Sequence, residues 1–457
     1  MDKMQRPNKL TLQVARTVLA EAAHKPWLAA LLAQQQDWLE KLRIHIQRLT
    51  RPQRLGLRRK LASGLAAAVL LAALVGAPPA FAGTISVDGV TCTLNNAIIT
   101  ANSGVDTGGC IGGSAAADII NLTVDVTLSA ELPSVTTPIT IDGGAGGHFI
   151  DSINVKNQSV LRVSAAGDLT LNRVTVKGGE GAALLGGGIY SQGALTITNS
   201  TISGNSASYG GGIYIKAGTA TITNSTISGN SATTNGGGIE TYVDLNLQNS
   251  TVSGNSAALG GGIYVKSYTT TIENSTIAYN TAASGGGGIF NYSVVNLKNT
   301  IVAMNGQSCK ASGGTWHSQG YNISSDSSCY LITTGDQQNV AGTALKLLAL
   351  AANGGLTQTH ALGSGSVALE QITSGTNGCG TAYTADQRGY ARPGTKNATG
   401  KCEVGAWEAQ IADPTQIALQ SFSAMARSPQ NALAALVTLI GGAIAALAVR
   451  FRLRSKI

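Results

Sequence analysis

Apolar and polar residues alternate with a period of two through the middle of this chain. Leu195-Thr196-Ile197-Thr198, Ile213-Tyr214-Ile215-Lys216 and Ala220-Thr221-Ile222-Thr223 each place their apolar side chains on one side. Such alternation, rich in Ile, Val and Thr and bounded by Gly and Asn, predicts short half-buried strands. The 58 glycines and the many Asn-Ser pairs exclude helices there. The pattern recurs: Asn199, Asn224, Asn249, Asn274 and Asn299 stand 25 apart, as do Asn205, Asn230, Asn255, Asn280 and Asn305. A fixed period of this size means stacked units, none able to bury its apolar side alone. Each unit is expected to hold about three strands joined by tight corners. Asn suits the corners because it tolerates left-handed backbone, and stacked amides form ladders.

The fold predicted is all-β, a right-handed parallel β-helix. Ile197, Ile222, Leu247 and Ile272 form one inward column, and Ile202, Ile227, Val252 and Ile277 another. Residues 117–305 accommodate about seven or eight coils spaced ~4.8 Å, a rod on the order of 40 Å long. The Gly-Gly-Gly-Ile blocks read as close corners rather than phosphate loops, because a strand follows them and no Gly-Lys-Ser/Thr does. From corner Asn to third Gly the spacing runs 13, 14, 13, 14, and residues 199–248 match 249–298 at 30 of 50 positions. The true unit is therefore a duplicated pair of coils.

The ends read differently. Arg58-Arg59-Lys60, an apolar run from Leu61 to Val75 and Ala80-Phe81-Ala82 make residues 1–82 an extended signal peptide, cleaved before Gly83. Ala432 to Val449 is uncharged and is followed by Arg450, Arg452, Arg454 and Lys456. That layout predicts a transmembrane helix over 432–449, a linker at 411–431 and a basic cytoplasmic tail at 450–457. Residues 1–60 carry +9 and residues 427–457 carry +5, so the exported body is −6 within a chain of +8. The basic charge therefore speaks for membrane topology, and nucleic acid is not an expected partner.

Six cysteines lie in the exported body, outside the regular coils. Proximity suggests Cys92 with Cys110, Cys309 with Cys329 and Cys379 with Cys402, one of 15 connectivities. Export favours disulfides, each worth roughly 3 kcal/mol.

Three segments resemble known families. Cys92-Thr93-Leu94-Asn95-Asn96-Ala97 resembles the Cys-Ser-Leu-Arg-Glu-Ala (CSLREA) cap of bacterial surface proteins, with Asn95 and Asn96 where that family has Arg and Glu. The Gly-Gly-Gly-Ile and Ile-Ser-Gly-Asn repeats resemble chlamydial polymorphic outer membrane proteins, within the pectate-lyase-like solenoid class. Asn353-Gly354-Gly355-Leu356-Thr357-Gln358-Thr359-His360-Ala361-Leu362, Asp386-Gln387-Arg388-Gly389 and Glu403-Val404-Gly405-Ala406-Trp407-Glu408 resemble the choice-of-anchor Q domain. The resemblances imply a cap at 83–116, the helix at 117–305, a Cys-bearing linker or last coils at 306–344, and an anchor-Q-like cap at 345–410. They imply a surface location and no particular chemistry.

Candidate chemistry is sparse. Residues 186–305 contain only Glu240, Asp244 and Glu273 as acids, none on equivalent places of neighbouring coils. A lyase needs a carboxylate cluster for calcium and a hydrolase needs paired acids. Asp142 reads as a turn residue before two glycines. No metal or cofactor is expected. His360, Asp386 and Arg388 form a second constellation, read as holding a cap at the rod's end more readily than as a catalytic trio. Tyr190, Tyr214, Glu240, Tyr264 and Phe290 form an outward column, with Lys216 and Lys266 two residues beyond. Tyr190, Tyr214, Lys216, Tyr264, Lys266 and Phe290 are thus candidates to stack on and bind sugars, against the plainer role of bracing adjacent strands. Thr201, Thr226, Thr251 and Thr276 make a further outward row, but Gln248, Glu273 and Lys298 break the flat column beside it, so ice binding is not expected. The reading is a non-enzymatic, membrane-anchored bacterial surface protein for adhesion or cell-envelope contact, meeting glycans or surface proteins. The alternative is a polysaccharide lyase or glycoside hydrolase.

Overall fold

The computed structural model describes residues 83–114, 117–394 and 400–410. The predicted signal peptide and C-terminal span lie outside the described residues. Among those described, no helix is long and apolar enough to cross a membrane.

The alternating segments stack as a parallel β-helix. Its largest sheet has ten strands, from Thr84–Val87 to Thr315–Ser318, eight of them between residues 117 and 305. A second sheet of nine strands and a third of seven run beside it, with a fourth of five between these two. A full coil therefore has four strands, not three: Ala194–Thr198, Thr201–Ser203, Ser206–Tyr209 and Ile213–Ile215 in one turn. The strand at 206–209 lies in the polar stretch between corner and glycines, where no hydrophobic signal marks it. The rod also begins before residue 117 and continues after 305, since strands at 309–311, 315–318 and 323–324 extend three of the sheets.

Both inward columns are in register and buried. Ile197, Ile222, Leu247 and Ile272 pair in sequence, as do Ile202, Ile227, Val252 and Ile277. The 50-residue unit has a local cause. Ala207 pairs Ala232 but Tyr209 pairs Asn235, so alternate coils carry one extra residue before the glycines. The next turn is one residue shorter: Ile215 pairs Thr241 and Ala220 pairs Leu245.

Two Asn columns do different work. Asn199, Asn224, Asn249, Asn274 and Asn299 hold φ between 45° and 52°, the left-handed geometry of a sharp corner. Asn205, Asn230, Asn255, Asn280 and Asn305 are buried and form a continuous ladder, each Nδ2 donating to the next Oδ1 at 2.9–3.0 Å. Each Oδ1 also accepts the preceding Asn backbone N–H. Beside it Ser225, Ser250 and Ser275 accept from the backbone N–H one coil earlier, a hydroxyl ladder. At the glycine corner, a Cβ on Gly237 would sit 2.4 Å from the Gly261 and Ser256 carbonyls, so only glycine lets the coils approach.

Helix α1 (Leu94–Ser103) covers the N-terminal end of the core through Leu94, Ala97, Ile98 and Ala101. All three neighbouring cysteine pairs are disulfides.

Residues 345–410 do not sit across the rod's end. They run back along its flank as a strap. An antiparallel hairpin, Leu347–Ala351 with Thr359–Leu362, opens it. Thr226 Oγ1 donates to the Gln358 carbonyl, Thr251 Oγ1 to Gln387 Oε1, and Thr276 Oγ1 accepts from the Ala406 N–H. The outward Thr row is thus largely occupied by the strap, which removes it as an ice-binding surface. Further along, Ala278, Ile301 and Ala303 join Leu345, Leu347, Leu362 and Ile372 in a second apolar core.

Candidate functional site

The aromatic column forms in register: Tyr190 pairs Tyr214, then Glu240, Tyr264 and Phe290 follow. It is not an open platform. Tyr214, Tyr264 and Phe290 are only 4 %, 3 % and 3 % exposed, while Tyr190 is half-buried. Tyr190 stacks on Tyr214 at 5.9 Å and Tyr264 on Phe290 at 5.5 Å. A second row, displaced by two residues, covers them. Tyr242 packs against Tyr214 at 5.5 Å and Tyr292 against Tyr264 at 5.7 Å. Lys216 lies 4.6 Å over Tyr242 and Lys266 4.4 Å over Tyr292. The solvent-facing groups are therefore Lys216, Lys266 and Tyr292, with Tyr242 half-buried. Tyr242 and Tyr292 were legible in principle, since they continue the period-two alternation past Glu240 and Phe290. This arrangement braces strands as cross-strand pairs do, and it leaves the two lysines exposed to solvent.

Glu240 is 0 % exposed, and neither carboxylate oxygen closes a hydrogen bond. Burial pushes it up to about 8; Tyr242, Asn235, Lys266 and Lys216 oppose the rise from nearby. A folded value above the unfolded one means that Glu240 favours folding fully below pH 4.5, and that this is lost as pH rises through 8. The loss amounts to about 3–5 kcal/mol at 1.36 kcal/mol per unit. Glu240→Gln is expected to match the parent near pH 4 and exceed its stability by a few kcal/mol at pH 9, read by denaturant titration at each pH. A parallel pH dependence in both proteins would refute this assignment.

The other acids have tasks in the scaffold. Asp244 accepts from the Thr269 N–H at 2.9 Å. Glu273 accepts from Tyr383 Oη at 2.6 Å and faces Lys298 at 4.0 Å. Asp142 accepts from Gly144 N–H, Asn172 and Arg173, a turn role as expected. No group of three or more His, Cys, Asp or Glu able to hold a metal occurs among the described residues.

His360, Asp386 and Arg388 do not form a trio. His360 bonds Ser253 and the Leu348 carbonyl. Asp386, fully buried, accepts from Arg388 Nε and Nη2 at 2.8 and 2.6 Å and from three backbone N–H groups, of Arg388, Tyr390 and Glu408. The Arg388 guanidinium lies between the rings of Tyr390 and Trp407. Beside it Arg392 pairs with Glu408 at 3.0 Å, both almost wholly buried. Burial and the adjacent Glu403 carboxyl push Glu408 upward, with Arg392 acting against them. This polar knot closes the strap on itself.

Residues 151–334 match the family model of the right-handed β-helix region, which agrees with the coil stack described above. No curated protein and no solved structure matches the chain.

Proposed function

We propose that this chain is an exported bacterial β-helix, anchored in a membrane by its C-terminal tail, that serves adhesion or contact within the cell envelope rather than polysaccharide cleavage along its coils. The observation that carries this reading is the state of the three acids in residues 186–305. Glu240 is sealed, Asp244 ties its coil to the next and Glu273 holds the strap, which speaks against the paired-carboxylate or calcium-assisted chemistry of the alternative. The CSLREA-like, polymorphic outer membrane protein-like and choice-of-anchor Q-like segments support the same location. Lys216, Lys266 and the ring edges beside them are the part of the column offered to glycans or surface proteins.

Fractionation of the source cells with protease shaving of intact cells tests the location. Loss of the rod from the membrane fraction on shaving is the expected result; full protection, or recovery only in the cytoplasm, overturns it. A polysaccharide turned over by the full chain, with or without calcium, would instead favour the lyase or hydrolase.

A further inference from the structure

We propose that Ser253 and His360 form a nucleophile–base pair for hydrolysis of short-chain carboxylic esters, at the junction of rod and strap. Ser253 Oγ lies 2.8 Å from His360 Nε2. His360 Nδ1 lies 2.6 Å from the Leu348 carbonyl, which can only accept. Nδ1 therefore carries the proton, Nε2 is the acceptor, and Ser253 donates to it. This is the order a base-activated hydroxyl needs: nucleophile on base, base fixed by a third group. Both residues line a surface cavity of about 360 Å³ together with Tyr279, Ala349 and Leu350. Its small apolar walls suit an acetyl or butyryl group. Burial holds the imidazole below its ordinary range, so at neutral pH it is in the uncharged form that can accept a proton.

The step balances. Ser253 Oγ bonds to the ester carbonyl carbon as its proton passes to His360 Nε2. The carbon–oxygen bond to the alcohol breaks, and His360 returns that proton to the leaving oxygen. Water then attacks the acyl-serine through the same base, releasing acid. Tyr279 also lines the cavity, its hydroxyl donating to the Leu347 carbonyl at 3.1 Å.

Sequence context makes the pair specific to one coil. Ser228 holds the same register position one coil earlier, and Ala278 one coil later. The proposal goes beyond the envelope reading, which stands or falls separately.

The test uses the full chain in detergent with p-nitrophenyl acetate and butyrate, and with a fluorophosphonate followed by peptide mass spectrometry. Nitrophenolate release and a label on Ser253 are expected. Ser253→Ala should cut turnover at least tenfold and abolish the label. His360→Gln should act alike, and Ser228→Ala should leave both unchanged. Unchanged resistance of residues 345–410 to limited proteolysis shows that each variant keeps its strap. Activity should fall only at pH below the ordinary imidazole range. No label on Ser253, or turnover by Ser253→Ala equal to that of the parent, overturns the proposal and leaves the pair as a strap fastener.

Discussion

Asn255→Leu is expected to lower the stability of the rod by about 3–6 kcal/mol, although the two side chains are similar in size. Asn255 sits in the middle of the amide ladder with no exposure. Its Oδ1 accepts from Asn230 N–H and Nδ2, and its Nδ2 donates to the Ile227 carbonyl and Asn280 Oδ1. Leucine removes all four bonds and leaves groups on two neighbouring coils short of partners, each costing about 1–3 kcal/mol. Asn255→Asp should be comparably harmful at neutral pH, since a buried carboxylate meets two acceptors. Its folded-state value would be raised above that of the unfolded chain, so part of the stability should return as pH falls through that raised value and be fully recovered by about pH 4. Asn224→Gly, at a corner with φ of 52° and an unpartnered Oδ1, should change stability by less than about 1 kcal/mol. Denaturant midpoints of the three variants decide the matter. Equal losses at Asn224 and Asn255 would refute the distinction between the two columns.

The second large effect belongs to the strap. Asp386→Ala should cost about 3–5 kcal/mol, because it strands the Arg388 guanidinium, only 5 % exposed, without its counter-charge. The same change frees the backbone N–H groups of Arg388, Tyr390 and Glu408. The loss should be local before it is global. Limited proteolysis should cut within 345–410 while the coils stay resistant, since solenoid coils rely mainly on their own neighbours. Simultaneous digestion of coils and strap would show that the two fold as one unit.

These expectations rest on features that differ in how plainly the chain displays them. The inward columns were legible because one burial requirement is repeated at a fixed spacing, and Ile222 or Ile227 has no competing explanation. The disulfides followed from closeness in sequence alone. Helix α1 was missed, although Thr93 as cap, Leu94, Ala97, Ile98 and Ala101 at helical spacing, and Gly104 at its end announce it. Ser206–Tyr209 was missed because its backbone, not its side chains, makes it a strand. The outward column was read in the right register but with the wrong exposure. Alternation tells which side of a strand a ring occupies and is silent about Tyr242 and Lys216 folding over it. The strap was the hardest to see. Its contacts pair residues more than a hundred positions apart, such as Thr226 with Gln358.

The strap's footprint is nonetheless written into the repeat as departures from it. Where earlier coils place Gly204, Gly229 and Gly254 at positive φ, the last two carry Tyr279 and Met304 in the same strained geometry. Tyr279 reaches the strap through its hydroxyl, and Met304 lies against Gly342. Ile301 likewise stands where other coils have Thr. Such a fastening works as a ruler laid against the rod. Coils added upstream of Asn224 leave every one of these fastenings in place. A unit gained between Thr226 and Ile301 would slide the strap's partners apart. Length variation among alleles is thus expected to be one-sided, and natural alleles with extra coils inside that interval would contradict it.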